Sequence, residues 1–242
     1  MGMRAKLAAM SGHDDPYFDA YASRYRELHR DSVRASGEAP DYFAACKIDW
    51  MARALGAPAG AATLDILDFG CGIGGSVEHL RRNFPAASIT GLDVSGQSIA
   101  LAREAHPGIR FEVIANPRIP LADASQDVAF AACVYHHLPP AERAHWTAEL
   151  RRVLRPGGRL FVFEHNPLNP LTRRVVRDCP FDEDAVLLPR RESLRLLRDA
   201  GFGAAAVDYI VFFPAPLARL RPLEPRLAWL PLGAQYVAHG VA

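Results

Sequence analysis

The sequence carries almost no excess charge: 28 Lys and Arg stand against 27 Asp and Glu in 242 residues, a formal net of +1. So balanced a chain offers no field to gather a polyanion, and nucleic acid is not expected as a partner. Cysteine is scarce as well. Cys46, Cys71, Cys133 and Cys179 are far apart and form no C-x-x-C pair, which suits reduced thiols better than a disulfide framework. No apolar run is long enough to span a bilayer. The opening MGMRAKLAAMSGHDD has Arg4 and Lys6 but lacks the apolar stretch of a secretion signal. A cytoplasmic location follows as the expectation. Internal repeats and low-complexity tracts are missing too.

What is there suits one globular α/β domain: 50% of residues are hydrophobic and 23% charged. Residues 1–15 read as a loose tail. From Pro16 to Leu55 the chain is rich in aromatics and helix formers, and SGEAP (Ser36 to Pro40) divides the region into two helices. Tyr17, Tyr21 and Tyr25 recur every fourth residue and so share a helical face. With Phe18 they are read as either a lid over a ligand or plain packing. Residues 1–62 are therefore assigned to a tail and helical lid, and residues 63–242 to the main domain.

Beyond the linker GAPAGAAT, strand and helix signals alternate. LDILDF, SITGLD, IRFEVI, DVAFAAC and GRLFVFE are short apolar runs of the buried parallel-strand type. Helical patterns lie between them near Ser76–Arg82, Ser95–Glu104 and Ala141–Leu154, and PGG (Pro156 to Gly158) is read as the stop of the third. A further helix over Arg191–Ala200 precedes strands at Ala204–Phe213 and Gln235–Val241. This alternation predicts a doubly wound, Rossmann-like, seven-stranded and mostly parallel sheet with helices on both faces.

One segment, LDILDFGCGIGGSVEHL, runs from a buried strand through a glycine-rich turn into a helix. Ligands of open parallel sheets bind beyond the carboxyl ends of strands, where glycines let the backbone approach closely. The next strand ends at Asp93, whose carboxylate is placed to accept from two ribose hydroxyls. Alone, the turn also satisfies G-x-G-x-x-G, the dinucleotide fingerprint. Three features favour another ligand. Asp68, two residues before Gly70, suits a cationic amino acid better than a pyrophosphate. FAACVYHHLPP followed by RRVLRPGGRLFVFE has no role in a nicotinamide fold, and the aromatic segment ahead of the first strand is unusual for a dehydrogenase.

LDFGCGIGG, GLDVSGQSIALARE, IPLADASQDVAFAACVYHHLPP and LRRVLRPGGRLFVFE, in this order, resemble the class I S-adenosylmethionine (SAM)-dependent methyltransferases over roughly residues 40–213. The resemblance implies SAM as cofactor and S-adenosylhomocysteine as product. It also implies that Asp68, Gly70, Cys71, Gly72 and Gly74 shape the methionine pocket, that Asp93 binds the ribose and that Val94 lies beside the adenine. Cys133 completes the expected cofactor set. Family members often have an Asp after the third strand to hold the adenine amine. Here VIANPRIPL puts Ala115 at that position, so Asn116 or the backbone of Ala115 is expected to replace the contact.

Methyl transfer from a sulfonium needs alignment more than acid catalysis, and a base only where the acceptor carries a proton. His136 and His137 follow the fourth strand and Glu164 and His165 end the fifth, all at the ligand-binding edge. His137 or His165 is the expected base, with His136 as a further candidate and Glu164 as orienter or alternate; packing histidines are the other reading. No metal is assigned, because two adjacent histidines do not easily point into one site. The insertion NPLNPLTRRVVRDCPFDEDAVLLP is longer than a simple connection and is read as a functional loop. Arg173, Arg174 and Arg177 on it are read as an anion-binding group or a solvated face. The tail FFPAPLARLRPLEPRLAWLPLG, with Arg219, Arg221 and Arg226, is too proline-rich for one amphipathic helix. The expected partner is a small molecule, with lipid-like and glycan-linked acceptors included. A nicotinamide-dependent oxidoreductase and a SAM-binding protein without transfer activity stay open as alternatives.

Overall fold

In a computed structural model, the residues described are Asp19, Leu28, Arg30, residues 32–56 and residues 63–242. Tyr17, Phe18, Tyr21 and Tyr25, the expected lid aromatics, lie outside them. Helix α1 spans Pro40–Leu55, with proline in its first turn and Gly56 in the left-handed conformation at its end. The strands are β1 (Asp65–Phe69), β2 (Ser88–Asp93), β3 (Arg110–Val113), β4 (Gln126–Ala132), β5 (Leu154–His165), β6 (Gly203–Ile210) and β7 (Gln235–Val241). Between them lie α2 (Val77–Asn83), α3 (Gly96–Ala105), α4 (Arg143–Val153), α5 (Pro170–Asp178), α6 (Arg190–Asp199) and α7 (Glu224–Leu227).

The sheet runs β3-β2-β1-β4-β5-β7-β6. Pairings from β3 to β5 are parallel, and β7 runs antiparallel to both β5 and β6. Alternation along each strand sorts the core onto two faces. Leu67, Phe69, Ala129, Ala131, Leu160 and Val162 join Trp146 and Leu150 of α4 on one side. Ile66, Val128, Phe130, Phe161 and Phe163 join Ile48 and Met51 of α1 on the other. Trp50 of α1 stands edge-on to Phe161 and Phe163 at 5.9 and 6.2 Å. By this alternation Asp68 falls on the α1 face, where an acid needs a polar reason to be.

The strand order reverses between β1 and β4, which are neighbours in space though far apart in sequence. A crevice opens at such a switch point, outside the carboxyl ends of the two strands. Those ends are Asp68 to Gly70 and Cys133, so the fold brings the glycine turn and the loop carrying His136 and His137 to one place.

PGG does not stop a helix. Helix α4 ends at Val153, and Leu154 already begins β5. Register between β4 and β5 jumps from Gln126↔Leu154 to Val128↔Arg159, so residues 155–158 bulge out. Gly157 takes a positive φ of 83° within that bulge. The tail forms a 3-10 stretch, Ala215–Leu223, followed by the short α7 rather than one helix. Among the described residues, no helix is long and apolar enough to cross a membrane.

Candidate active site

At the end of β1 the chain turns sharply, and the N–H groups of Gly70 and Cys71 both donate to the Leu92 carbonyl, at 2.7 and 3.0 Å. Gly70, Gly72 and Gly74 all have positive φ. The position of Gly70 is enclosed, since a Cβ there would meet Val134 Cγ2 at 2.4 Å. That of Gly72 is open: a Cβ would find no atom within 4 Å. The Gly72 N–H donates to Asp93 Oδ2 at 2.7 Å, and the Ser95 N–H donates to Asp93 Oδ1 at 2.9 Å. Each oxygen keeps a lone pair for a ligand. Burial raises the Asp93 carboxyl in spite of these backbone donors.

Asp68 is 3% exposed, and its Oδ2 is buried with no hydrogen-bond partner. Burial, then the charge of Asp93, push its carboxyl up to about 8, against a hydroxyl bond from Ser76 and the charge of Lys47. A buried, unpartnered carboxylate oxygen costs stability unless something polar completes it. Val94 is half-buried beside Asp93, while Ala115 and Asn116 are exposed after β3. Ser95 caps α3 by accepting from the Ser98 N–H at 3.0 Å. Its hydroxyl donates to Asp19, which also accepts the Gln97 N–H at 3.1 Å. Asp19 is thus a contact of the amino-terminal segment with this edge, and nothing in the sequence singled it out.

Across the crevice, Cys133 directly follows β4 in the left-handed region, with φ 61°, a costly conformation for a residue with a Cβ. Burial alone would raise its thiol, yet the charges of Lys47 and His165 draw it down to about 7. Gln235 Nε2 reaches its sulfur at 3.7 Å.

Glu164 is fully buried, and its oxygens are both engaged: Oε1 accepts the Tyr135 N–H at 2.8 Å and Oε2 meets His136 Nδ1 at 2.7 Å. Burial works against charge on both groups, and their mutual attraction reverses it, so His136 is raised and Glu164 lowered. His137 is driven the other way, by burial and by the charge of His136. The rings of His136 and His137 are 4.1 Å apart, and those of His136 and His165 5.1 Å. Adjacent histidines do point into one site here, against expectation. Nε2 of His136 and Nε2 of His137 each stand 3.4 Å from Asp182 Oδ1. Asp182 comes from the insertion after β5 and was not among the expected site residues.

That insertion is tied down. The Val186 N–H donates to the His136 carbonyl at 2.8 Å. Arg143, 1% exposed, donates to the carbonyls of Tyr135 and Val186 at 3.1 and 2.6 Å and to Glu192 at 2.8 Å. Arg173, Arg174 and Arg177 lie away from all this on the exposed face of α5, where Arg174 and Arg177 pair with Asp178.

The residues at the glycine turn fit the sulfonium nucleoside. A buried carboxylate oxygen lacks a partner where an ammonium would sit, the backbone at Gly72 leaves open space, and an oriented acid stands one strand further on.

Residues 66–158 match the family described as methyltransferase domain. The chain is 38% identical over 129 residues to a trans-aconitate 2-methyltransferase of Methylobacterium nodulans, covering 50% of this chain and 47% of that protein. It is 36% identical over 108 residues to a phthiotriol/phenolphthiotriol dimycocerosates methyltransferase of Mycobacterium ulcerans, covering 44% and 39%. The chain thus spans under half the length of these curated relatives. A SAM-dependent methyltransferase of Thermotoga maritima has the same fold, with a TM-score of 0.66 at 20% identity over 93% of this chain and 98% of that one. Residues 66–158 thus carry the match to a methyltransferase domain, and the sheet as a whole has the fold of solved SAM-dependent methyltransferases.

Proposed function

We propose that the chain transfers the methyl group of SAM to a small-molecule acceptor, through oxygen or nitrogen. The unpartnered, buried Oδ2 of Asp68 carries the reading, because a dinucleotide pyrophosphate would be repelled there and an ammonium attracted. When bound, SAM supplies an electrophilic methyl whose thioether leaves without acid assistance. Asp68 would hold its amino group, Asp93 its ribose hydroxyls, and Val94 with Asn116 or the Ala115 backbone its adenine.

The loops after β4 and β5 would line the acceptor side. Both oxygens of Glu164 being engaged supports a positioning role, with His136 fixed through Nδ1. His136, held charged by that carboxylate, is poorly suited to accept a proton. His137 is kept neutral by burial and by His136, which leaves a lone pair to accept a proton while weakening the ring as a base, and His165 is the second candidate. Orienting acceptor against methyl supplies roughly 7–11 kcal/mol in well-aligned systems and is the main catalytic contribution of the chain.

The carboxylate and lipid-like acceptors named for the two relatives both fall within the small-molecule class. The exposed Leu168, Leu171, Trp229 and Leu232 favour including apolar acceptors. The test is transfer of labelled methyl from SAM to a panel of carboxylic, phenolic and amine acceptors, beside thermal shift with SAM and with NAD. Label transfer and protection by SAM alone are expected. Protection by NAD alone would overturn the reading, and SAM binding with no transfer across the panel would mark a catalytically silent protein.

A further inference from the structure

We infer that His136, His165 and Asp182 form a binding site for a divalent transition-metal ion of the zinc or iron type. One donor atom from each of the three lies within 4.8 Å of the others. Asp182 Oδ1 is buried and accepts no hydrogen bond, although Nε2 of the ligand His136 stands 3.4 Å from it. That separation is long for a hydrogen bond, whose N···O distance runs about 2.7–3.2 Å. It suits two donors sharing one ion: with bonds of about 2.0–2.2 Å, tetrahedral ligands stand roughly 3.3–3.6 Å apart.

The surroundings are those of a metal-binding histidine. His136 Nδ1 is engaged by the fully buried Glu164 at 2.7 Å, which turns Nε2 toward Asp182, where the ion would displace the Nε2 proton to solvent. A carboxylate on the far nitrogen is the usual support of a ligating imidazole, fixing its tautomer and ring plane. The frame around the site stands without the ion. The Asp182 N–H donates to the Cys179 carbonyl at 3.1 Å, and Val186 is held by His136 and Arg143 on either side of its peptide group. Two imidazoles and one carboxylate select zinc or iron(II) over magnesium or calcium, which prefer oxygen alone. Three protein ligands leave coordination positions open for an oxygen of the acceptor. That use of the ion rests on the methyltransferase reading; the binding of the ion does not. With His165 a ligand, proton acceptance falls to His137.

The test uses the untagged full chain with Zn2+ or Co2+ salts alone. Calorimetry with Zn2+ should give about one ion per chain, and Co2+ should give the visible absorption of a nitrogen-liganded site. Glu164→Gln should weaken Zn2+ binding about 10–100-fold, and Asp182→Asn at least as much. Melting curves check that each variant folds; Asp182, on a surface insertion, covers the case in which the buried Glu164 variant does not. Zn2+ binding of equal strength in wild type and Asp182→Asn, or no Co2+ band in wild type, would overturn the inference. S-adenosylhomocysteine titrated in parallel separates the two ideas. Nucleoside binding without Zn2+ binding removes the metal site alone, and Zn2+ binding without nucleoside binding upholds it and removes the methyltransferase reading.

Discussion

Gly72 and Asp93 stand 21 positions apart, and the Gly72 N–H donates to Asp93 Oδ2 across 2.7 Å. The glycine turn after one strand is thereby locked to the acid that ends the next, before any ligand arrives. Gly72 has a φ of 52° and open space where a Cβ would stand. Gly72→Ala should cost about 1–2 kcal/mol of stability through its left-handed backbone. Since the new methyl would meet no protein atom, its clash would be with the nucleoside alone. S-adenosylhomocysteine affinity should therefore fall by more than that stability cost accounts for, read by calorimetry beside urea unfolding. Unchanged affinity would place the ligand elsewhere.

On the proposed assignment, Asp68 makes binding proton-linked. Its carboxyl, pushed up to about 8, keeps a proton in the native state that the unfolded chain, near the ordinary value of about 3.9, has released. Native Asp68 thus binds more protons than unfolded Asp68, and its contribution to stability declines as pH rises from about 4 through 8. An ammonium ligand favours the ionised form, so SAM binding below pH 8 should release a proton, and affinity should climb until about pH 8. Calorimetry in buffers of different ionisation heat reads the release directly. Asp68→Asn should abolish it and flatten the pH dependence.

His137 and His165 are separable by kinetics. Loss of a general base costs about 10²–10⁴-fold in rate. His137→Ala should lower kcat by that order while leaving the SAM dissociation constant unchanged. If His165→Ala alone has this effect in protein stripped of metal ions, the assignment moves to His165. Full turnover in both single variants discards a histidine base.

Arg143 should matter without touching substrate. Its guanidinium holds Tyr135, Val186 and Glu192 together while 1% exposed. Breaking a buried ion pair from one side costs about 3–5 kcal/mol. Arg143→Met should lose stability of that order in urea, and hydrogen exchange around residues 180–188 should speed up more than in β1 or β4. Exchange unchanged there would mean that the insertion is held by other contacts.

Much of the sheet was legible because each of β1 to β5 is an apolar run with its own turn signal; SITGLD coincides with β2 and the others shift by a few residues at their ends. The PGG reading failed because glycine serves bulges as well as helix ends, and only pairing with β4 decides between them. Asp182 was hidden for another reason. FDEDAV looks like solvated loop, and its first acid acquires meaning only when Arg143 folds the insertion back over His136. Likewise, nothing local to VYHHL tells that a carboxylate 46 positions away from His136 stops between two adjacent rings.

The most direct measurement is calorimetric titration of S-adenosylhomocysteine into the wild-type chain and into Asp68→Asn and Asp93→Ala. The account predicts one site per chain in the wild type and a loss of about 10-fold or more in each variant, the scale of a hydrogen bond to a charged group. Absence of heat with both the product and SAM in the wild type, or equal affinity in all three proteins, would contradict it.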